Sequence, residues 1–278
     1  MAATISYALK VLAGRLRLPA DNTCPYCHSS NTESVGKKHL IMQLRICREC
    51  SLKYRYPKDD PNQAESFYQH DYKEATVTDL PTPVQLVTMR SNNFKGSNFD
   101  KSEKADFIVS NLGPNVSDLK VLDYGASFGY FVSQVRSRGV GQVIGYEISR
   151  PRAKFGVEML GEKIYSSLTE VLEPRFAPFD AIYTCHVLEH LTRPSETFEF
   201  FRRALKRPNG KLFIWTPNAS QAAIDRHYQG SWAPLVGEPH PLALDYEFFD
   251  YALPKHGFKI VAKGEPSHQE VSIIAETI

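Results

Sequence analysis

The stretch KVLDYGASFGYF, residues 120–131, decides the fold. It opens as an apolar strand, passes Asp123 into a turn holding Gly125 and Gly129, and enters a helix that begins near Gly129. Strand, glycine turn, helix is how a nucleotide-type βαβ unit starts. Two phosphate-binding versions of the unit do not fit. A dinucleotide site needs glycines where the backbone approaches a pyrophosphate, and Tyr130 stands where the last of them should fall. A P-loop needs Gly-Lys-Ser/Thr after the turn, and none follows. What remains is Asp123 ahead of the turn and Glu147 closing the next strand. A carboxylate at that second place accepts hydrogen bonds from both hydroxyls of a ribose, so an adenosine ligand without pyrophosphate is expected.

The alternation continues downstream. GQVIGYEIS (141–149) reads as a strand, PRAKFGVEML (151–160) as a helix with Pro151 in its first turn, and KIYSS (163–167) as a third strand. FDAIYTCHVLEHL (179–191) reads as a fourth strand running into a helical turn. SETFEFFRRALK (195–206) reads as an amphipathic helix capped by Ser195. KLFIWTP, LDYEFFDYALPKHGF, KIVAKG and EVSIIAE then give strand, helix and two strands. Repeated β-α alternation predicts an α/β fold, a Rossmann-like, doubly wound, mostly parallel seven-stranded sheet over residues 115–278.

Upstream lies a second device. TCPYCHSS (23–30) and RICRECSL (45–52) place Cys24, Cys27, Cys47 and Cys50 in the pattern C-x2-C-x19-C-x2-C. Two such knuckles aim four thiolates at one point and satisfy a tetrahedral zinc ion with no position left for water, so the site is structural. His28 and His39 are substitute ligands the count does not require; unrelated thiol pairs, disulfides or an iron–sulfur cluster fit the spacing less well. The intervening alternation suits short strands, giving a zinc-ribbon module at 21–56. Residues 57–114 read as a proline-rich linker and helical cap, helix-like from Val84 to Leu112, and residues 1–20 as a short docking helix, with a membrane-surface or organelle-targeting helix as the alternative.

The chain of 278 residues carries a formal charge of +2, without the basic excess that makes nucleic acid the default partner. No apolar run approaches the roughly 18 to 20 residues that span a bilayer. Four of five cysteines in close pairs suit a reducing, cytoplasmic setting.

VLDYGASFGYF, VIGYEIS and FDAIYTCHVLEHL…RALKRPNGKLFIWTPN, occurring in that order, resemble the class I S-adenosylmethionine-dependent methyltransferases. The resemblance implies that Asp123, Gly125, Ala126, Ser127 and Gly129 line the cofactor, that Glu147 holds its ribose, and that Ser167 and Cys185 border it. Ser127 departs from the glycine usual in the family at that position. The cysteine leader with CRECSLKYRYP and FYQHDY is similar to the zinc ribbon of bacterial methyltransferases of polysaccharide, deoxysugar and natural-product pathways. Those that methylate carbon usually carry a further carboxy-terminal domain, and since this sequence ends at Ile278, transfer to oxygen is expected.

Methyl transfer to a hydroxyl needs alignment and a base. HVLEH places His186, Glu189 and His190 at i, i+3 and i+4 after the fourth strand, on one face if the segment is helical. His186 or His190 is the candidate base, and His240 is the candidate remote partner of a metal-binding version of the site. Related enzymes with E-x-x-E-H here bind magnesium. Imidazoles in its place favour a transition metal, so a second divalent metal is the subordinate reading, as is a purely structural role. His227, Tyr228 and Trp232 read as a lid that stacks on a sugar, or as core.

The acceptor expected is a sugar, glycan or related small molecule. Two other functions are weighed. One is an RNA methyltransferase gripping its substrate through Lys37, Lys38, Arg45, Arg48, Lys53 and Arg55, with Tyr54 and Tyr56 to stack bases. The other is a non-catalytic cofactor-binding scaffold.

Overall fold

The computed structural model describes residues 21–38, 42–70 and 79–278. The expected helix at 1–20 and His39 lie outside the described residues. The strands are β1 (Thr32–Lys38), β2 (Met42–Cys47), β3 (Lys53–Tyr56), β4 (Lys120–Tyr124), β5 (Gln142–Tyr146), β6 (Ile164–Tyr165), β7 (Ala181–Cys185), β8 (Lys211–Pro217), β9 (Leu242–Ala243), β10 (Phe258–Lys263) and β11 (Glu270–Thr277). They form a four-stranded sheet in the order β1-β2-β3-β9 and a seven-stranded sheet in the order β10-β11-β8-β7-β4-β5-β6. The pairs β4–β5, β4–β7 and β5–β6 are parallel, and the strand order reverses at β4. Such a switch point is where open α/β sheets bind ligands, outside the carboxyl ends of the strands.

The chain divides into two compact units. One comprises, among the described residues, 65–70, 79–185, 203–213 and 276–278. Its core is the buried faces of β4, β5 and β7, with Val121, Leu122, Ile144, Ala181 and Ile182 fully or nearly enclosed. The helix Tyr130–Arg136 buries Phe131, Val132, Gln134 and Val135, and the Phe131 ring stacks on Tyr183 at 3.9 Å. Gly129 caps this helix at φ 82°, and a Cβ there would lie 2.7 Å from Ile164 Cδ1. No other residue meets both demands.

The helical stretch expected from Val84 to Leu112 is two helices, Pro83–Ser91 and Ser102–Leu112. Between them Asn93 and Phe94 adopt positive φ. Phe94 drops into an apolar cluster with Leu86, Phe99, Phe128 and Leu160, and that burial outweighs helical continuity. The third strand is only two residues long because Ser167 already caps the next helix, Leu168–Val171. The helix expected from Ser195 begins at Pro194, which puts Ser195 inside its first turn rather than at the cap.

The other unit comprises, among the described residues, 21–38, 42–64, 186–202 and 214–275. Its antiparallel sheet pairs β2 with β3 from Gln43↔Tyr56 to Ile46↔Lys53, and β3 with β9 at Lys53↔Ala243 and Tyr54↔Leu242. The cysteine-bearing hairpins are thus extended by a strand from near the carboxyl end. Tyr26, between the first two cysteines, is enclosed by Phe198, Phe248, Tyr251 and His256 with ring centroids 5.1 to 6.3 Å away. Trp232 belongs to a core cluster with Leu44, Ala219, Ile224, Leu235, Val236 and Ala243, and Tyr228 packs against it. The lid reading of that segment therefore gives way to its core alternative.

Candidate active site

The glycine turn is built around two carboxylates. Gly125, at φ 93°, and Ala126 both donate their N–H groups to Tyr146 O, at 2.8 and 2.9 Å, which ties the turn to the end of β5. Phe128 is fully enclosed and anchors the turn from below. Glu147 follows β5 and is 7% exposed. Its Oε2 accepts from Ser127 N at 2.7 Å and its Oε1 from Ser149 N at 2.8 Å. Each oxygen keeps a second lone pair for a ligand donor. Burial pushes the Glu147 carboxyl above the usual range, against its two backbone donors and the Arg152 charge. Asp123, 3% exposed, is raised further, by burial and by the neighbouring Glu147. Burial raises both acids, and Glu147 raises Asp123 in addition, so the ends of β4 and β5 carry two buried carboxyl groups whose oxygens can meet hydrogen-bond donors. Thr184, opposite Tyr124 in the β4–β7 ladder, keeps a buried hydroxyl without a hydrogen-bond partner among the described residues.

Ser127, the departure from the family pattern, sits at φ 50°, and its hydroxyl accepts from Arg152 Nη1 at 3.1 Å. Arg152 is 4% exposed and was not singled out in the sequence; its only signal there is a place five residues past Glu147. Ser167 Oγ accepts from Glu170 N at 3.4 Å as a helix cap. Cys185 ends β7, its sulfur 3.4 Å from Lys104 Nζ.

In the other unit, His186, Glu189, His190 and His240 do not share a helix face. His186 has φ 55°, and a single 3-10 turn follows at Leu188–His190. Their side chains still converge. His186 Nδ1 lies 3.2 Å from Glu189 Oε1 and its Nε2 lies 2.6 Å from Glu270 Oε1. Glu189, 2% exposed, also accepts from Thr216 Oγ1 at 2.9 Å. Despite its burial, the hydrogen bond from His186 and the neighbouring His190 hold its carboxyl down at about 2. His190 Nδ1 is 2.7 Å from Pro239 O, so this nitrogen carries the proton and Nε2 is the basic one. Burial lowers the His190 pKa, and burial together with His190 lowers that of His240 to about 4. The two rings meet edge-on at 4.5 Å. One ionised carboxylate and two neutral imidazoles, with ligand atoms within 4.8 Å of one another, make up the cluster. Glu270 and Thr216 had no sequence signal, because they reach it from strands distant in the chain.

The four cysteine sulfurs also lie within 4.8 Å of one another. Cys24 and Cys50 are 3.5 Å apart, as are Cys27 and Cys47, and all four are free thiols rather than disulfides. Tetrahedral zinc with Zn–S bonds of ~2.3 Å sets its sulfurs ~3.8 Å apart. The knuckles repeat one backbone design. Cys24 N donates to Ser29 O and His28 N to Cys24 O; Cys47 N donates to Leu52 O and Ser51 N to Cys47 O. His28 and Ser51 both take φ 59°.

Three of the basic residues of this module have partners within the chain. Lys38 donates to the carbonyls of Ala233 and Val236, Arg48 pairs with Glu33, and Lys53 pairs with Asp245. Tyr54 and Tyr56 are 1% and 8% exposed. They are core residues, not a surface on which bases could stack.

A family model for a methyltransferase domain matches residues 94–263. The tRNA U34 carboxymethyltransferase of Hahella chejuensis is 28% identical over 155 residues, covering 49% of this chain and 47% of that protein. The chain thus spans about half the length of this curated relative. Among solved structures, the magnesium protoporphyrin IX methyltransferase of Synechocystis PCC 6803, with bound SAH, is similar with a TM-score of 0.53 at 14% identity, over 79% of this chain and all of that one. A methyltransferase of Mesorhizobium loti gives 0.48 at 17% identity, over 62% of this chain and 97% of that one. At 14% identity the likeness to the Synechocystis structure is one of fold.

Proposed function

The chain belongs to the methyltransferase-domain family, whose model matches residues 94–263 and so more than half of it, and from that premise we propose that it transfers a methyl group from S-adenosylmethionine to a hydroxyl of a sugar, glycan or related small molecule. The observation that carries this reading is the buried Glu147 carboxylate, held by two backbone N–H groups beside a glycine turn at the end of β5. When bound, the cofactor supplies an electrophilic methyl group on a sulfonium.

Glu147 would accept from the ribose hydroxyls with its remaining lone pairs, and Asp123 and the Gly125–Ala126 backbone would line the methionine portion. His190 is the better of the two candidate bases. Its Nδ1 proton is fixed on Pro239 O, which leaves Nε2 basic, and its lowered pKa keeps it neutral near pH 7. His186 faces carboxylates from both ring nitrogens and serves to orient Glu189. The four cysteines would hold structural zinc, with no open position and no chemistry of its own. The acceptor class follows the likeness of the cysteine leader to sugar and natural-product enzymes. The RNA reading loses its stacking platform with the burial of Tyr54 and Tyr56.

Calorimetric titration with S-adenosylmethionine and S-adenosylhomocysteine, with metal content measured on the same sample, tests the cofactor. Binding in about the micromolar range is expected, followed by methyl transfer to one of a panel of sugar nucleotides. Absence of binding to a folded, metal-loaded sample would sink the proposal. Binding without turnover on sugar nucleotides, small-molecule hydroxyls or RNA would favour the scaffold reading.

A further inference from the structure

The loop Gly237–Pro241 has a deficit of donors. Pro239 and Pro241 have no N–H, yet Gly237, Glu238, Pro239 and Pro241 all present carbonyls that are used. The loop closes on itself through one bond, Gly237 N to His240 O at 3.0 Å. Three of its carbonyls are taken by a single residue of β3. Arg55 donates Nε to Gly237 O at 2.8 Å and Nη2 to Glu238 O at 3.3 Å, and its backbone N–H to Pro241 O at 3.0 Å. A fourth, Pro239 O, receives His190 Nδ1 at 2.7 Å.

Arg55 is itself held rigidly. It is 2% exposed, its Nη2 meets both oxygens of Asp59 at 2.6 and 2.7 Å, and its Nη1 meets Pro57 O at 3.0 Å. A planar fork with five donors can bind a carboxylate and several carbonyls at once; an ammonium cannot reproduce that geometry. The guanidinium therefore fixes where Pro239 O sits, and that carbonyl fixes which nitrogen of His190 carries the proton. His240, one residue on, is fixed against the same ring.

We propose that Arg55 is a positioning residue that acts through the Gly237–Pro241 loop to set the tautomer and orientation of His190 and the placement of His240. The proposal rests on the reading of His190 as base, and it assigns the cysteine-bearing module a role in shaping the histidine cluster. A displacement of about 1 Å caused by a residue remote from the chemistry can cost on the order of 100-fold in rate.

The test uses the full-length protein and three variants, Arg55→Lys, Arg55→Gln and Asp59→Asn. The deciding readout is the nitrogen-15 spectrum of the histidine rings at neutral pH. Wild type should show His190 as the Nδ1–H tautomer, and the Arg55 variants should show a mixture, with metal content and S-adenosylmethionine affinity unchanged. Asp59→Asn, which keeps the arginine but loosens its anchor, should move the same way to a smaller extent, and it carries the test if the Arg55 variants do not fold. Where transfer is followed, kcat should fall by up to about 100-fold at unchanged KM for S-adenosylmethionine. A folded variant with the wild-type His190 spectrum overturns the proposal. So does a spectral change that appears only together with loss of the metal, since Arg55 would then serve the fold of the module alone. Because the spectrum needs no acceptor, a failure of the transferase reading would show separately, as absent turnover with the tautomer shift intact.

Discussion

At the residue scale, the site depends on which groups carry protons. Burial and the neighbouring His190 push the His240 pKa down to about 4 from an ordinary value of 6.5. The unfolded chain binds the proton more readily, so the contribution of this group is fully present above pH 6.5 and is lost as the pH falls toward 4. At about 1.4 kcal/mol per unit, this histidine alone lowers stability by a few kcal/mol across that window. Thermal melts from pH 7.5 to 4.5 should show the loss in wild type and a shallower slope in His240→Gln; parallel slopes would contradict the assignment. Glu189, held near 2, acts in a lower window, losing its contribution only below its reference of 4.5. Glu147→Gln removes the charge that would meet the ribose. A hydrogen bond to a charged group contributes about 1.5–3 kcal/mol, so calorimetry should find S-adenosylmethionine binding weakened by roughly 10- to 100-fold. Asp123 and Glu147 were legible in the sequence as an acid before the turn and an acid after the next strand. Arg152, Thr216 and Glu270 were not, because only side-chain reach brings them in.

At the element scale, the two knuckles and the glycine turn are local designs with local consequences. His28 and Ser51 hold left-handed backbone without being glycine, which costs roughly 1–2 kcal/mol each. Ser51→Gly should therefore raise the melting temperature, by up to about 1 kcal/mol in stability, with metal content unchanged. Cys47→Ser should lose the metal and destabilise the module, since metal binding and folding are coupled in such sites; retained metal measured by mass spectrometry would refute the four-thiol site. Gly129→Ala meets both a positive φ and a Cβ contact at 2.7 Å, so it should destabilise the chain and weaken cofactor binding together. The cysteine spacing and the glycine turn were readable because their ligands or glycines lie within a few residues. The HVLEH run follows the end of β7 with one 3-10 turn, Leu188–His190, and the left-handed backbone at His186 is what keeps its side chains off a common helix face.

At the scale of the whole molecule, the residues proposed to hold the cofactor and the histidine cluster belong to different units. Asp123 through Glu147 belong to one, while Cys24 through Cys50 and His186, Glu189, His190 and His240 belong to the other. Removal of metal by a chelator should therefore suppress turnover while leaving S-adenosylmethionine affinity within about 2-fold; parallel loss of both would mean the units do not respond separately. The sequence by itself determined the strand-turn-helix opening, the alternation that makes a seven-stranded sheet, the acid pair and the four-cysteine pattern, because each is written in the period of the chain or in short spacings. Only the tertiary structure decided that β3 pairs with β9, that Tyr54 and Tyr56 are core, and that Arg55 feeds the loop carrying His240. Those outcomes depend on which distant carbonyls lack donors and which apolar faces need cover, and that balance exists only once segments nearly 190 residues apart have met.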